Sequence, residues 1–158
     1  MKILMTPSGL KRLDDELKEL ITVKRPEISK AIGVAREHGD LKENAEYHSA
    51  KEEQSHVEAR ILQLADLRAN VVLMDINQMS TDIVGFGAWV TILDDATEKE
   101  ATYGIVSEYE ADLTKGLISN TSPIGKALMR KSIGDFVTVS TPGGTKYYEI
   151  TNLEYKEL

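Results

Sequence analysis

The sequence contains no cysteine, which excludes disulfide bonds and thiolate metal sites. It also lacks a long apolar run: MKILMTPSGL, residues 1–10, has the pattern neither of a signal peptide nor of a membrane span. Both absences fit a protein of a reducing compartment. We therefore expect a cytoplasmic location and no membrane partner.

Basic residues are not in excess. The net charge is −7, with 12 basic and 14 acidic residues up to position 75 and 7 and 12 in the remainder. Neither half has the positive balance of a protein that holds nucleic acid by itself. Phosphate-loop and dinucleotide motifs are missing too, because TPGGTK at 141–146 lacks the Walker spacing and GFG at 85–87 ends too early. We expect no small-molecule substrate.

Aromatic residues are scarce, at 6% of the 158 positions, and unevenly spread. Trp89, Phe86 and Phe136, which are the single tryptophan and both phenylalanines, all lie in the second half. A conventional core is therefore expected there, and a different architecture in the first half. The length suits one domain or two small ones.

The first half begins with leucines at the 3–4–3 spacing of a coiled-coil seam: Leu10, Leu13, Leu17 and Leu20. Thr6 or Ser8 is suited to cap this helix. The apolar face then continues in a shifted register, at Ile28, Ala31 or Ile32, and Ala35. Pro26 lies at the shift, and since proline removes a helical hydrogen bond, we expect a kink or short break there. The pattern stops at His38-Gly39.

A second helical pattern starts near Lys42 to Asn44, and Asp40 with Glu43 has the spacing of a capping box. Its expected seam is Leu62, Ala65, Ala69 and Val72, continued toward the turn by small or polar residues: Ala59, Ser55, Glu52, His48 and Ala45. Two helices joined by so few residues run antiparallel. Residues 1–75 are thus predicted to form an antiparallel coiled-coil hairpin, about 45 Å long at ~30 residues per arm.

The second half is predicted to be a small, mostly antiparallel sheet with one short helix, so the fold class is α+β. Residues 76–82 form a linker, and the domain covers 83–158. The strand pattern alternates at Val84, Phe86, Ala88, Val90 and Ile92, a second strand is expected at 101–109, and a hairpin at 134–155. Ser122 and Pro123 are expected to begin the helix, as N-cap and first residue.

The hairpin tip carries the two carboxylates of interest, Asp40 and Glu43. Placed three residues apart on a first helical turn, they would lie on one face and suit Mg²⁺, whose remaining ligands another surface would supply. The alternative is structural, because acidic residues at a helix start stabilise its free N–H groups and its dipole. Spacing alone favours the structural interpretation, and the projecting position adds some weight to the functional one.

Two long stretches resemble the GreA/GreB family of bacterial transcript cleavage factors, and its GreA branch in particular. They are KRPEISKAIGVAREHGDLKENAEYHSAKEEQ at 24–54 and LISNTSPIGKALMRKSIGDFVTVSTPGGTKYYEI at 117–150. The resemblance covers nearly the whole chain in order. It implies an N-terminal coiled-coil hairpin and a C-terminal FKBP-like domain, without prolyl isomerase activity, since a fold alone does not carry a function.

The resemblance also implies a partner, bacterial RNA polymerase, whose secondary channel the hairpin enters to reach backtracked nascent RNA. Asp40 and Glu43 match the family's tip acids, which hold a Mg²⁺ ion shared with the polymerase. The chain is then no enzyme itself, but stimulates hydrolysis of the RNA 3′ end by the polymerase. Further positions match residues that flank the tip and orient it or meet RNA: Arg36, Lys42, Asn44 and Tyr47. Ser122 and Pro123 match the part that touches polymerase.

Two other functions stay open. One is a channel-binding regulator that does not stimulate cleavage. The other is a coiled-coil adaptor in which the tip acids only cap a helix.

Overall fold

The computed structural model describes residues 2–156, with the backbone alone at Ile76. Met1 and residues 157–158, at the outer ends of the two predicted domains, lie outside the described residues. The chain divides into two units, one formed by Leu10–Val71 and the other by Lys2–Gly9 with the residues from Val72 onward. Within the described range, no helix combines the length and apolar character needed to cross a membrane.

The first unit is a helical hairpin. The outgoing arm consists of α1 (Pro7–Glu19), a π-helical turn (Leu20–Lys24) and α2 (Arg25–Arg36), and α3 (Ala45–Ala69) returns. The expected leucine seam is confirmed in α1, where Leu13 is fully buried and the other three leucines are half-buried. Of the two candidate caps, Thr6 is used: its Oγ1 accepts a hydrogen bond from the Gly9 amide at 3.1 Å.

The outgoing arm does not break at Pro26. Lys24 and Arg25 keep right-handed helical backbone angles, and the Arg25 amide donates to the Leu20 carbonyl, five residues back. Pro26 comes directly after this π-helical turn, where the hydrogen-bond pattern has already changed from four residues back to five. A π-helical turn inserts one extra residue, which rotates the apolar face of the following helix. This extra residue explains the register shift that the sequence shows, and Ile28, Ile32 and Ala35 are buried after it.

The seam predicted for α3 is wrong by one position. Leu62 is 72% exposed, whereas Leu64 is fully buried and Ile61 is 8% exposed. The residues stepped back from Leu62 toward the turn are exposed as well. The true seam is a 3–4 repeat of buried and half-buried side chains: Tyr47, Ala50, Gln54, Val57, Ile61 and Leu64. The seam is therefore apolar near the tip as well, where Ile28, Ile32 and Ala50 form a buried cluster.

Ion pairs join the two arms along their length. Arg25 binds Glu58 with two nearly parallel hydrogen bonds, of 2.8 and 2.9 Å. The other two pairs are Arg60 with Glu16 and Arg68 with Asp14. Sequence positions rise along one arm as they fall along the other, which is the pattern of antiparallel helices. The hydrogen bond from Arg25 lowers the pKa of Glu58 below its ordinary value of 4.5.

The second unit is built on a five-stranded mixed sheet with the strand order β5-β4-β3-β7-β6. Its strands are β3 (Ala88–Asp94), β4 (Glu100–Val106), β5 (Leu117–Ser119), β6 (Phe136–Thr141) and β7 (Gly144–Tyr155). Only β4 and β5 pair in parallel, so the prediction of a mostly antiparallel sheet is confirmed. Two short strands that the sequence pattern did not indicate, β1 (Ile3–Met5) and β2 (Val71–Leu73), pair separately.

The core of this unit lies on one face of the sheet. The predicted alternation of burial holds, because Val84, Phe86, Ala88, Val90 and Ile92 are all at most 3% exposed, but the strand itself begins only at Ala88. The single described α-helix of residues 83–156 is α4 (Pro123–Leu128), which packs Ile124 and Leu128 into that core. As expected, Ser122 caps α4, accepting from the Gly125 amide at 3.1 Å.

Within the second unit, a buried carboxylate holds the segment Lys2–Gly9 to the residues that follow the fourth strand. Glu110 is 3% exposed, and it accepts hydrogen bonds from the Thr6 amide at 3.2 Å, from the Thr6 hydroxyl and from the Ser107 hydroxyl. The carboxyl group occupies the place that a Cβ at position 9 would need, so Gly9 leaves room for it. This contact links residues 104 positions apart.

Candidate functional site

Residues 37–44 form the tip of the hairpin. The last turn of α2 tightens, since the amides of Glu37 and His38 donate to the carbonyls of Val34 and Ala35, each at 3.1 Å. The helix ends at Arg36, and Gly39 follows in the loop with φ +113°, a conformation that L side chains rarely adopt and glycine tolerates. The tip loop thus starts one or two residues earlier than the predicted end at His38-Gly39.

Both tip acids are exposed to solvent. Asp40 uses one oxygen, Oδ1, to accept the amide of Lys42 at 3.0 Å, which closes a small side-chain turn. Its Oδ2, like the carboxylate of Glu43, has no hydrogen-bond or ion-pair partner within residues 2–156. The site therefore presents oxygen atoms that are available to a ligand.

The predicted capping box is wrong. Helix α3 begins at Ala45, and its N-cap is Asn44, whose Oδ1 accepts the amide of Tyr47 at 3.0 Å. Asp40 and Glu43 both precede the helix, so neither lies on its first turn. The structural alternative, in which these acids cap α3, thereby loses its basis. Asp40 stabilises only its own turn, and Asn44 already occupies the cap.

The amide side chain of Asn44 also reaches the other helix. Its Nδ2 donates to the carbonyl of Ala35, in the last turn of α2, at 2.6 Å. On the opposite side of the loop, Nε2 of His48 lies 3.0 Å from the carbonyl of Lys42. Because a carbonyl only accepts, His48 is the donor in this contact. The tip is consequently held from both helices by hydrogen bonds to backbone carbonyls.

The other flanking residues differ in exposure. Tyr47 is half-buried and packs against Ile28, Ile32 and Ala50, while the guanidinium of Arg36 lies 6.0 Å from the centre of its ring. Arg36 and Lys42 are exposed cations close to the acids in sequence. The structure brings Arg36, Lys42, Asn44 and Tyr47 into or beside the tip loop, as the sequence suggested, and their role toward RNA stays a prediction.

Ser122 and Pro123 lie in the other unit, at the start of α4. The Ser122 hydroxyl is used within the chain, because it accepts from Gly125 and donates to the Ser119 carbonyl at 2.6 Å. Pro123 is exposed. Of these two residues, Pro123 is the one whose side chain is available to a partner.

The donor set at the tip fits a hard divalent cation. Carboxylate oxygens are the ligands that Mg²⁺ prefers, and it is commonly held by one or two carboxylates plus water and phosphate oxygens. Asp40 and Glu43 supply two such groups, and they fit Mg²⁺ only as part of a larger site. No group of three or more acidic, histidine or cysteine side chains suited to a metal occurs within residues 2–156.

Family models match both halves of the chain. Residues 3–72 match the transcription elongation factor N-terminal family, GreA_GreB_N, and residues 79–155 match the C-terminal family of transcription elongation factors GreA/GreB.

Curated relatives match over the full length. The chain is 54% identical to the transcription elongation factor GreA of Rickettsia prowazekii, with 99% of this chain and 97% of the relative covered. It is 52% identical to the GreA of Rhodospirillum rubrum, with 98% of each covered. Among solved structures, the GreA factor homolog 1 (Gfh1) of Thermus thermophilus aligns over 98% of this chain and 99% of its own, with 27% identity and a TM-score of 0.45.

Proposed function

Because the chain belongs to the GreA/GreB family of transcription elongation factors, we propose that it binds bacterial RNA polymerase and stimulates cleavage of backtracked RNA by the polymerase. The hairpin enters the secondary channel and brings its tip to the active centre. The observation that carries this proposal is the pair of exposed carboxylates, Asp40 and Glu43, in a loop held between two helices.

The chain acts by completing another protein's site, and it is not an enzyme by itself. Two carboxylates leave most of an octahedral coordination shell to be filled from elsewhere. The polymerase supplies the rest of that shell and holds the RNA. This division of roles also accounts for a net charge of −7, because the chain has no need to bind free nucleic acid.

Asp40 and Glu43 would hold Mg²⁺ jointly with the polymerase. Held by these residues together with the polymerase, a divalent ion would supply Lewis-acid stabilisation of negative charge to the hydrolysis of a phosphodiester. The Oδ2 atom of Asp40 and the carboxylate of Glu43 are the oxygens available to the ion or to the attacking water. Arg36 and Lys42 carry positive charge beside them, suited to the RNA phosphates.

The sheet unit serves for docking on the polymerase. Ser122 is committed to capping α4, so we assign the contact to the exposed ring of Pro123, and Ser122 supports it by fixing the start of the helix. The partner surface is therefore expected to be apolar at this point.

The proposal is tested by RNA cleavage in a halted, backtracked polymerase complex. Asp40→Asn and Glu43→Gln keep the shape of the side chains and remove their charge. Each is expected to lower stimulated cleavage by about 100-fold, the effect typical of losing a charge-stabilising group. Glu53→Gln, at an exposed position of α3, is the matched control and should cleave like the wild type.

Polymerase binding, measured by competition with labelled wild-type chain, separates the alternatives. Retained binding with lost cleavage in the Asp40 and Glu43 variants supports the proposal. A wild-type chain that binds without stimulating cleavage is a channel-binding regulator. Variants that both bind and cleave normally would identify an adaptor whose tip acids have no chemical role.

A further inference from the structure

We propose that Asn44, assisted by His48, is the positioning residue that orders the tip loop and so places both acidic residues, Asp40 and Glu43, for the cleavage reaction. This inference rests on the proposed function, and of the two tasks that the resemblance implies for Asn44, orienting the tip or meeting RNA, it assigns the first and names the contacts that perform it. The two residues together are called the tip brace below.

The first part of the tip brace is the bridge made by Asn44. One side-chain amide accepts from the Tyr47 amide at 3.0 Å and donates to the Ala35 carbonyl at 2.6 Å. It therefore satisfies the start of α3 and the end of α2 at the same time. Both polar atoms of this half-buried side chain are engaged within the chain, so the side chain is committed to holding the loop.

The second part is the contact of His48 with residue 42. His48 donates to the Lys42 carbonyl at 3.0 Å, and the amide of the same lysine donates to Oδ1 of Asp40, also at 3.0 Å. Both backbone groups of Lys42, its amide and its carbonyl, are thus hydrogen-bonded. A continuous series of hydrogen bonds runs from α3 through the Lys42 backbone to the Asp40 carboxylate.

Glu43 is fixed by its neighbours in the chain. It lies between Lys42, which His48 holds, and Asn44, which is bound to both helices. A single residue between two anchored ones has little backbone freedom left. The tip brace therefore acts on both acids, on Asp40 through its side chain and on Glu43 through its backbone.

The chemistry of the brace suits this task. Asn44 is uncharged, and the hydrogen bond from His48 goes to a carbonyl and not to a carboxylate. Within residues 2–156 no cationic side chain forms an ion pair with either carboxylate, so both stay available to a metal ion. A catalytic group misplaced by about 1 Å commonly lowers the rate about 100-fold, so loss of the tip brace should lower the rate of stimulated cleavage.

Asn44→Asp separates bridging from capping. Aspartate is as good an N-cap as asparagine, so the hydrogen bond to Tyr47 remains. The donor to Ala35 is lost, and a carboxylate oxygen would face that carbonyl. We expect the maximal rate of stimulated cleavage, at saturating concentrations of the chain, to fall about 10–100-fold. The chain concentration that gives half-maximal stimulation should change less than about twofold, since each polymerase-docking contact is intact.

Asn70→Asp is the matched control. Asn70 stands at the other end of α3, where its Nδ2 donates to the Asp66 carbonyl at 2.8 Å. The same substitution there removes the same kind of hydrogen bond and adds the same charge, away from the tip. Cleavage should stay at the wild-type level. For His48→Ala, which should lower the rate as Asn44→Asp does, the control is His56→Ala at an exposed position of α3.

A second measurement does not depend on cleavage. In ¹⁵N-resolved NMR spectra of the free chain, Asn44→Asp should shift and broaden the amide signals of residues 38–43, and far-UV circular dichroism should be unchanged. Asn70→Asp should leave those signals as in the wild type. Unaltered tip signals in Asn44→Asp would overturn the inference whatever the cleavage result.

The outcomes distinguish the two proposals. If Glu43→Gln abolishes stimulated cleavage and Asn44→Asp does not, the tip brace is refuted and the proposed function stands. If the wild-type chain stimulates no cleavage, the proposed function fails, and the NMR comparison alone decides whether Asn44 orders the tip.

Discussion

Leu64→Ala and Leu62→Ala test the coiled-coil register in one pair of variants. Leu64 is fully buried, whereas Leu62 is 72% exposed two residues away on the same helix. Truncating a buried leucine typically costs about 2–5 kcal/mol of unfolding free energy, and an exposed one less than about 0.5 kcal/mol. For a unit of this size a loss of ~3 kcal/mol lowers Tm by roughly 12–24 °C.

The assay follows thermal unfolding by two signals. Far-UV circular dichroism reports mainly the helices of the hairpin, and fluorescence of the single tryptophan, Trp89, reports the sheet unit. Leu64→Ala should shift the circular dichroism transition strongly, and Leu62→Ala should leave it almost unmoved. Equal losses in the two variants, or a larger loss for Leu62→Ala, would refute the register described above.

Three further predictions concern stability. Glu58→Gln should destabilise the hairpin near neutral pH. Because the folded-state pKa of Glu58 is lowered, the difference in Tm from the wild type should shrink as the pH falls below 4.5. A difference that grows in acid would contradict the pairing with Arg25. Gly9→Ala should destabilise the sheet unit by about 1–3 kcal/mol, measured by Trp89 fluorescence, because the new methyl group meets Glu110. An increase in stability, as the higher helix propensity of alanine alone would give, would contradict that contact. Gly39→Ala should cost about 1–2 kcal/mol of hairpin stability by circular dichroism, because φ is +113°; an unchanged transition would mean that the turn rearranges freely.

Periodic features could be predicted from the sequence because burial imposes them. The alternating burial from Val84 to Ile92 could be predicted, although only the part from Ala88 onward is a strand, and the leucines from Leu10 to Leu20 could be recognised as a seam. Ser122-Pro123 signalled a helix start by local chemistry alone. Each of these signals is contained in a short window of residues.

The errors arose where two local solutions have similar free energies. Ile61-Leu62 offers two adjacent apolar positions, and only the fit to the opposite helix selects Ile61. Asp40 and Asn44 are equally good caps by propensity, and the reach of Asn44 to Ala35 decides between them. Pro26 permits either a break or a π-helical turn before it, and the choice depends on the packing that follows.

Long-range polar contacts leave no local signal. The hydrogen bonds of Glu110 with Thr6 join residues 104 positions apart, and no local sequence pattern around either residue predicts its partner. Asn44 left a partial signal, since asparagine directly before a helical pattern favours an N-cap. Its second hydrogen bond, across to α2, depends on the loop geometry and became visible only in the structure.

The Mg²⁺ requirement of stimulated cleavage tests most directly whether the tip lends metal ligands to the polymerase. Backtracked complexes saturated with the chain are titrated with Mg²⁺, and the concentration for half-maximal cleavage is compared among wild type, Asp40→Asn, Glu43→Gln and the control Glu53→Gln. Losing a ligand should raise that concentration at least about tenfold in the first two variants and leave it unchanged in the control. An unchanged Mg²⁺ requirement in Asp40→Asn and Glu43→Gln, with cleavage reduced or not, would contradict the account.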